Sequence, residues 1–421
     1  MENRTRDREK ITRRSLLKSA AALASATIFP FGFAGAAFSA QNASALRPGS
    51  AKPDAPTKNP RWYGFNLLEY FSTDPDWMKY FPYKNDGMFL EDDFRWIRDW
   101  GFNWVRLPMD YRFWTDFHDP FKIHEEGVIP IDRAIRLGEK YGIHVNVCLH
   151  RAPGFCVLDN LDESLTGIHI TKEKTSVYTD AKTQDAFIYQ WTYFADRYKG
   201  ISSDKLSFNL VNEPLDLPVA TETEKAGETK PKRHLKDYVR VARAAIEGIR
   251  KHDPQRLVIS DGYLGGTAVI PELIDTHAMQ SCHTYNPVQL THYQCEWARG
   301  MLTGSEPEPT WPLKDSKGKV ICDREILART FQPWEELAAQ GIPIHFGEMG
   351  CYKHTPPQVV LAWFSDTFSV LSELQTGWAL WNFRGPFGVL DTERAGTKYE
   401  KWHDHQLDRT LLSLLQQRMK S

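Results

Sequence analysis

Short apolar segments alternate with longer amphipathic segments along most of the chain, from residue 62 to about residue 415. Eight of the apolar segments have the length of a β-strand, and polar or turn-forming residues follow them. They cover residues 62–66, 104–108, 144–150, 205–212, 256–261, 281–285, 344–348 and 377–382. Each of these segments is therefore predicted to form a strand.

The segments between the predicted strands have the residue spacing of helices. Leu90, Phe94 and Ile97 form one apolar stripe with charged residues off it. A second helix is predicted to stop at Gly142, and a third before Asp253. Strands that alternate with helices pair in parallel, so eight units predict an α/β fold, a single closed (β/α)8 TIM barrel. An open doubly wound sheet is the alternative, although the sequence has neither a Gly-x-Gly-x-x-Gly turn after the first strand nor a Walker loop.

Polar residues and one tryptophan lie where the predicted strands end. They are Arg106, His150, Asn212, Glu213, His283, Tyr285, Glu348 and Trp381. In a TIM barrel this end of the strands carries the chemistry, and a buried polar group costs free energy unless it is paired. A single such residue could be a satisfied residue of the barrel rim, but the whole set predicts an active site.

Two of these residues, Glu213 and Glu348, are carboxylates on different strands. Hydrolysis of a glycosidic bond uses such a pair, one as proton donor to the leaving oxygen and the other as nucleophile or base. Gly347 and Gly350 flank Glu348 and are expected to let the backbone approach a ligand closely.

Several of these motifs resemble those of a known family. Asn-Glu-Pro at 212–214 is similar to the acid/base motif of clan A glycoside hydrolases, and Gly-Glu-Met-Gly at 347–350 resembles the nucleophile strand of glycoside hydrolase family five. The signatures of strands two, three, six and eight of that family resemble residues 105–108, 149–154, 283–285 and 378–381. The resemblance extends from residue 62 to about residue 400 and implies a retaining hydrolase of β-glycosidic bonds.

The resemblance also implies a role for each carboxylate and its neighbours. Glu213 would be the general acid/base and Glu348 the nucleophile. Asn212 would hydrogen-bond the 2-hydroxyl of the sugar that is attacked. Arg106 and Tyr285 would hydrogen-bond Glu348 and hold it ionised and oriented.

Other strand-end residues would contact the sugar. His150 and His283 would bind hydroxyls or orient Glu213, and Trp381 would form the floor under the sugar ring. Because side chains alternate along a strand, Trp381 is expected in the site and Trp378 in the core. Arg151 departs from the family, which often has His, Asn or Gly there. It could form a local salt bridge, bind a hydroxyl or bind an acidic group on the sugar.

The predicted activity is hydrolysis of a β-glucan, with endo-β-1,4-glucanase favoured and a β-mannanase or β-1,3-glucanase as alternatives. A carbohydrate-binding protein on an inactive barrel is the alternative from another class. The substrate would be a β-linked polysaccharide or oligosaccharide, and the protein is expected to act as a monomer. No cofactor or metal is expected, because two carboxylates supply the protons and the nucleophile.

The N-terminus is predicted to be an export signal rather than part of the fold. Arg13 and Arg14 lie in a basic stretch before an Ala-rich apolar run, which resembles a bacterial twin-arginine signal peptide over residues 1–45, although a single membrane-anchor helix is the alternative. Cleavage after Ala40 or Ala45 would release the protein to the periplasm or the medium. Residues 46–60 would be a flexible leader, and residues 61–421 the catalytic domain. No later apolar run could span a bilayer, so stable membrane insertion is not expected.

Composition excludes several other classes. The chain has 52 Lys and Arg against 54 Asp and Glu, which argues against binding of nucleic acid through bulk charge. Hydrophobic residues make up 41%, which argues against a disordered chain. Six cysteines in 421 residues are too few for a disulfide scaffold.

Three long connections, 151–183, 214–235 and 286–330, are expected to shape the cleft. Trp297 and Trp311 lie in the last of them, either as stacking surfaces for outer sugar units or as anchors of the loop. The charged stretch 221–232 is expected to be a solvated loop.

Overall fold

The computed structural model describes residues 59–80, 88–161, 163–216, 234–299 and 301–420. The predicted signal peptide, nearly all of the leader and the charged stretch 221–232 lie outside the described residues, so these assignments stay predictions. Among the described residues no helix combines the length and the apolar composition needed to cross a bilayer.

Eight parallel strands close into a barrel. They are β1 (Tyr63–Asn66), β2 (Trp104–Asp110), β3 (His144–Ala152), β4 (Leu206–Asn209), β5 (Leu257–Asp261), β6 (Met279–Thr284), β7 (Ile344–Met349) and β8 (Trp378–Leu380). Each strand pairs in parallel with the next, and β1 pairs with β8 to complete the ring. The predicted TIM barrel is therefore confirmed, and the open sheet is excluded.

Helices follow seven of the eight strands. They are α1 (Glu91–Asp99), α2 (Glu125–Tyr141), α3 (Ala181–Arg197), α4 (Leu235–His252), α5 (Arg324–Ala339), α6 (Pro357–Glu373) and α7 (Arg409–Arg418). A 3-10 helix, Pro271–Thr276, takes this place after β5. Short helices lie at Pro75–Tyr80, Glu163–Thr166, Tyr263–Gly266 and Val288–Thr291, with 3-10 turns at Tyr111–Phe113, Val157–Asn160 and Glu296–Ala298.

Short strands also pair in antiparallel fashion outside the parallel ring. Thr115–Asp116 pairs with Asp119–Ile123, Leu313–Lys314 with Val320–Cys322, Glu400–Trp402 with His405–Leu407, and Phe155–Cys156 with the end of β3.

Local sequence explains where several elements begin and end. Gly142 ends α2 in the left-handed conformation at φ 64°, as its position predicted. The side chain of Asp323 accepts a hydrogen bond from the backbone N–H of Ile326 and starts α5. The loop predicted over residues 286–330 therefore ends earlier than expected, because the Asp323 cap starts α5 at Arg324. The fourth strand was also predicted too long, since β4 ends at Asn209 rather than at residue 212.

The barrel interior differs between its two ends. At the amino-terminal end Leu257, Ile259 and Met279 pack with Trp62, whose ring stacks on His144 at 3.9 Å. The other end holds a layer of polar side chains, whereas the main apolar core lies between the strands and the outer helices. The site thus lies above a buried base in which His144 also hydrogen-bonds Ser207 at 2.7 Å.

All six cysteines are buried and unpaired. This agrees with the expectation that the fold does not depend on a disulfide framework.

Candidate active site

The structure brings all eight residues singled out in the sequence to the carboxyl-terminal half of the barrel. Tyr285 and Trp381 directly follow β6 and β8, and Glu213 lies four residues beyond β4. Arg106 lies within β2 rather than at its end, so its side chain is deeper in the barrel than the sequence suggested.

Glu348, on β7, is nearly enclosed. Nη1 of Arg106 donates to its Oε1 at 2.5 Å, and the hydroxyl of Tyr285 donates to its Oε2 at 2.9 Å. Burial raises the pKa of Glu348, while His283 and Arg106 counteract that rise. Both carboxylate oxygens are thus fixed by donors, which orients the carboxylate.

Glu213 occupies a partly exposed and conformationally unusual position. Its φ is 50°, the left-handed region that costs free energy for a residue with a Cβ. Its backbone N–H donates to Oδ2 of Asp261 at 3.2 Å, and its Oε1 lies 2.8 Å from Nδ1 of His283. The side chain of Glu213 is 18% exposed, against 4% for Glu348. The two carboxylates therefore have different environments, as a division of acid and nucleophile requires.

Asp261 belongs to the site but was not among the residues predicted from the sequence. This fully buried carboxylate at the end of β5 lies 3.2 Å from Nη2 of Arg106 and 3.2 Å from Nε2 of His283, and its Oδ1 accepts from Asn209 at 2.9 Å. Burial works against ionisation, but His283 and Arg106 outweigh it and lower the pKa of Asp261 to about 2. The signal was available, because Asp261 is a charged residue at the end of a predicted strand.

His283 lies between three carboxylates. Burial works against its protonation, but Glu348 and Asp261 outweigh it and raise the pKa of His283 to about 10. The ring therefore carries a positive charge at neutral pH. It orients Glu213, which was one of the two roles expected for it.

One ligand atom each of Glu213, His283 and Glu348 lies within 4.8 Å of the others. This distance would allow a cation between them. However, both ring nitrogens of His283 face carboxylates, and a ring protonated on both nitrogens has no lone pair for a metal.

Among the described residues, Asn212 and His150 each have a buried polar atom without a hydrogen-bond partner. Asn212 accepts from Arg106 through Oδ1 at 2.9 Å, which leaves its Nδ2 as an unsatisfied donor. Nδ1 of His150 is also unsatisfied, and burial holds the pKa of His150 well below its usual value, so the ring is neutral. Since buried polar groups are normally paired, these atoms are available to sugar hydroxyls.

The two tryptophans near β8 separate as predicted. Trp378 packs in the main core, whereas Trp381 belongs to a second apolar cluster above the barrel. The ring of His150 stacks on Trp381 at 5.6 Å with an interplanar angle of 22°, and Phe71 meets it edge-on at 5.5 Å.

The two glycines beside Glu348 serve packing rather than ligand access, so that expectation was wrong. A Cβ on Gly347 would lie 2.4 Å from Oγ of Ser281, on the neighbouring strand. A Cβ on Gly350 would lie 2.5 Å from the carbonyl oxygen of Trp381. Neighbouring parts of the protein therefore occupy the space that a side chain would need.

Arg151 forms the local salt bridges that were one of its possible roles. Its guanidinium is 3.1 Å from Glu173 and 3.5 Å from Asp74, and it also donates to the carbonyl oxygen of Thr171 at 2.9 Å. The side chain is 2% exposed, so it is committed to the loops rather than to a substrate.

Trp297 and Trp311 differ in their surroundings. Trp311 donates to Asp366 on α6 at 2.8 Å and anchors the loop to the outer helices. Trp297 packs edge-on against Trp77 at 5.4 Å and against Tyr352 at 5.0 Å, so it belongs to the second apolar cluster.

The chain is similar to known glycoside hydrolases. Residues 54–385 match the family described as Cellulase (glycosyl hydrolase family 5). The chain is 24% identical to Cellodextrinase A of Ruminococcus flavefaciens over 304 residues, 70% of this chain and 80% of that protein. It is 22% identical to Endoglucanase C of Acetivibrio thermocellus over 341 residues, 75% and 90% of the two chains.

A solved structure described as a glycoside hydrolase shares the fold with a TM-score of 0.72 and 34% identity, over 85% of this chain and 99% of that chain. The family match covers well over half of the chain. The protein therefore belongs to glycosyl hydrolase family 5 and hydrolyses β-glycosidic bonds.

Proposed function

We propose that the protein is a retaining hydrolase of β-1,4-linked glucan, with Glu348 as nucleophile and Glu213 as general acid/base. The proximity of the two carboxylates carries this proposal. One carboxylate oxygen of Glu213 lies within 4.8 Å of one carboxylate oxygen of Glu348. Retaining enzymes place the carboxyl groups about 5–5.5 Å apart, whereas inverting enzymes need about 6.5–9.5 Å to admit a water molecule.

In the first step Glu348 attacks the anomeric carbon and forms a covalent glycosyl intermediate. Arg106 and Tyr285 fix both of its oxygens, so one ionised carboxylate is aimed at one position. Glu213 gives its proton to the departing glycosidic oxygen, which leaves as a hydroxyl. Nδ2 of Asn212 is free to donate to the 2-hydroxyl of the sugar that is attacked.

In the second step water replaces the nucleophile. Glu213, now ionised, removes a proton from water, which attacks the anomeric carbon from the side that the leaving group occupied. Glu348 departs as a carboxylate, and two inversions give a product of retained configuration.

The linkage is supported by the relatives and not by the two glutamates alone. The names cellodextrinase and endoglucanase indicate glucans, and cellodextrins are β-1,4-linked. The same pair of carboxylates would serve a β-mannan or a β-1,3-glucan equally well. Whether an internal or a terminal bond is cleaved depends on the walls of the cleft.

The proposal is tested with the two glutamate variants. Glu348→Ala removes the nucleophile and should abolish hydrolysis, and added azide should restore turnover of an activated aryl glycoside with an inverted sugar azide as product. Glu213→Ala should slow hydrolysis of unactivated bonds by about 10²–10⁴-fold, while an aryl glycoside is still attacked. Azide should then give a product of retained configuration.

Release of reducing sugar from soluble cellulose derivative, mannan and laminarin, compared side by side, identifies the linkage. Greatest activity on mannan or laminarin would replace the β-1,4-glucan assignment. A first product of inverted configuration from the wild-type enzyme would contradict Glu348 as nucleophile.

A further inference from the structure

An apolar wall stands over one side of the barrel mouth. We use this name for Phe71, Trp77, Ile168, Trp297, Leu302 and Phe387, which pack with Trp381 in one cluster. These six come from the loops after β1, β3, β6 and β8. Strands β3 and β6 are not neighbours in the ring, so the loops that follow them meet above the barrel.

Polar contacts join the loops of the wall. Nη1 of Arg299, after β6, donates to the carbonyl oxygen of Leu165, after β3, at 3.4 Å. The backbone N–H of His169, after β3, donates to Asp76, after β1, at 3.0 Å. The hydroxyl of Tyr352, after β7, donates to Glu296 at 2.8 Å. The wall is therefore continuous from one loop to the next.

A buried ion cluster fixes the base of the β3 loop. Arg151 holds Glu173 and Thr171 of this loop, and the backbone N–H of Gly154 donates to Glu173 at 3.1 Å. Asp74, from the β1 loop, pairs with Arg151 and with Arg112 from the β2 loop. Because these charges are buried and paired, the loop cannot move without breaking several ion pairs.

The wall packs directly against Trp381. Phe71 touches both His150 and Trp381, and Trp381 is only 6% exposed. Within the described part of the chain, the loops after β4 and β5 contribute no side chain to this cluster. Glu213, directly beyond β4, is the more exposed of the two glutamates.

The packed wall at Trp381 and the more exposed Glu213 restrict how a glucan chain can bind, an inference that rests on the proposed function. Because Glu213 protonates the leaving oxygen, the departing part of the chain lies on the side of Glu213. We place the attacked sugar over Trp381, so that its non-reducing end points away from Glu213 and towards the wall. A chain that continued in that direction would have to pass through packed aromatic and aliphatic side chains.

We propose that the apolar wall closes the cleft beyond the sugar that is attacked, so that the enzyme removes short sugar units from the non-reducing ends of β-glucan chains. The sequence favoured cleavage at internal bonds, which requires a cleft that is open at both ends. A cleft that is closed beyond the attacked sugar favours cleavage at the chain end instead.

The test uses cello-oligosaccharides of five or six units with a fluorescent amine at the reducing end, and chromatography of the first products. We expect the label to move to products that are shorter by one constant unit, with one small unlabelled sugar released. Label in several product lengths from the start would overturn the inference and leave the hydrolase intact. If labelled laminari- or manno-oligosaccharides are cleaved instead, the lengths of their labelled products distinguish release from chain ends from cleavage at internal bonds in the same way.

Two tryptophan variants of the same loop provide the matched comparison. Trp297→Ala removes part of the wall and should spread the label over two or more product lengths. Trp311→Ala removes the anchor to α6, which packs against the main core and not against the wall, and should leave the product pattern unchanged. If the label spread equally in both variants, the wall would not be the cause of the single product length. No cleavage of any labelled oligosaccharide would contradict the proposed function itself.

Discussion

At the residue scale, buried charges balance one another around the nucleophile. Arg106 and the protonated ring of His283 contribute two positive charges, and Asp261 and ionised Glu348 contribute two negative charges. Unbalanced buried charge is costly, so this pairing stabilises the ionised form of Glu348 that the nucleophile requires.

Asp261 is predicted to act as a positioning residue that does not touch the substrate. Asp261→Asn removes one of the carboxylates that keep His283 protonated and weakens the hydrogen bond that holds the backbone of Glu213. We expect kcat/KM to fall about 5- to 30-fold, equivalent to about 1–2 kcal/mol. The alkaline limb of the pH profile should also move to lower pH, because the pKa of His283 falls.

The matched control is Asp253→Asn, which breaks a different ion pair, that between Asp253 and the buried Arg256, at 2.7 Å. This variant should lose stability without any shift of the pH profile. If Asp261→Asn also left the profile in place, the role of Asp261 would be structural only.

Single residues were predictable where one strand determined their position. Glu213, Glu348 and Trp381 follow apolar segments, and the alternation of side chains was sufficient to place Trp381 and Trp378 on opposite faces. The left-handed backbone of Glu213 was not predictable, because it depends on an acceptor from another strand, Asp261. The packing role of Gly347 likewise depends on Ser281 across the β6–β7 pair.

At the scale of elements, the close approach of β6 and β7 has a measurable consequence. Gly347→Ala would place a Cβ 2.4 Å from Oγ of Ser281, so either this hydroxyl or the backbone of one strand must shift. We expect a loss of about 1–3 kcal/mol in the free energy of unfolding, the usual cost of overpacking a core. Chemical denaturation of the wild type and the variant measures it.

The double variant Gly347→Ala with Ser281→Ala tests the cause. Removal of the hydroxyl leaves the Cβ of residue 281 as the nearest atom of that side chain, at 3.7 Å, an ordinary contact distance. The double variant should therefore recover most of the stability that the single change loses. If the two losses simply add, contact with Ser281 is not the reason for glycine at this position.

The regular elements were predictable because buried strands and amphipathic helices leave local patterns. All eight barrel strands were found, with errors of a few residues at their ends. The 3-10 helix after β5 and the contacts between the loops of the wall were not found. Both depend on tertiary packing, and the β3 and β6 loops that meet above the barrel are more than a hundred residues apart in sequence.

At the scale of the whole molecule, buried groups that titrate link stability to pH. Burial lowers the pKa of His144 to about 3 and that of His345 to about 4. In the unfolded chain these rings would titrate near pH ~6.5. The unfolded state therefore binds protons below that pH that the folded state does not bind, and stability falls as the pH falls.

The pKa shift of His283 has the opposite sign and determines how stability changes on the alkaline side of neutral pH. Its folded pKa is raised to about 10, so the stabilisation it contributes is fully present below pH ~6.5 and is lost as the pH rises towards 10. Buried thiols such as Cys156 and Cys351, whose pKa burial raises to about 12, add to this loss only above pH ~8.5. Between these limits His283 alone lowers the free energy of unfolding by about 1.4 kcal/mol per pH unit when one proton separates the two states.

We therefore expect the free energy of unfolding, measured by denaturation at a series of pH values, to peak near pH ~6.5. His283→Gln should flatten the decline between pH ~6.5 and ~8.5 while leaving the steeper loss above it. A wild-type protein equally stable at pH ~7 and ~8.5 would show that the ring is not held protonated between the carboxylates.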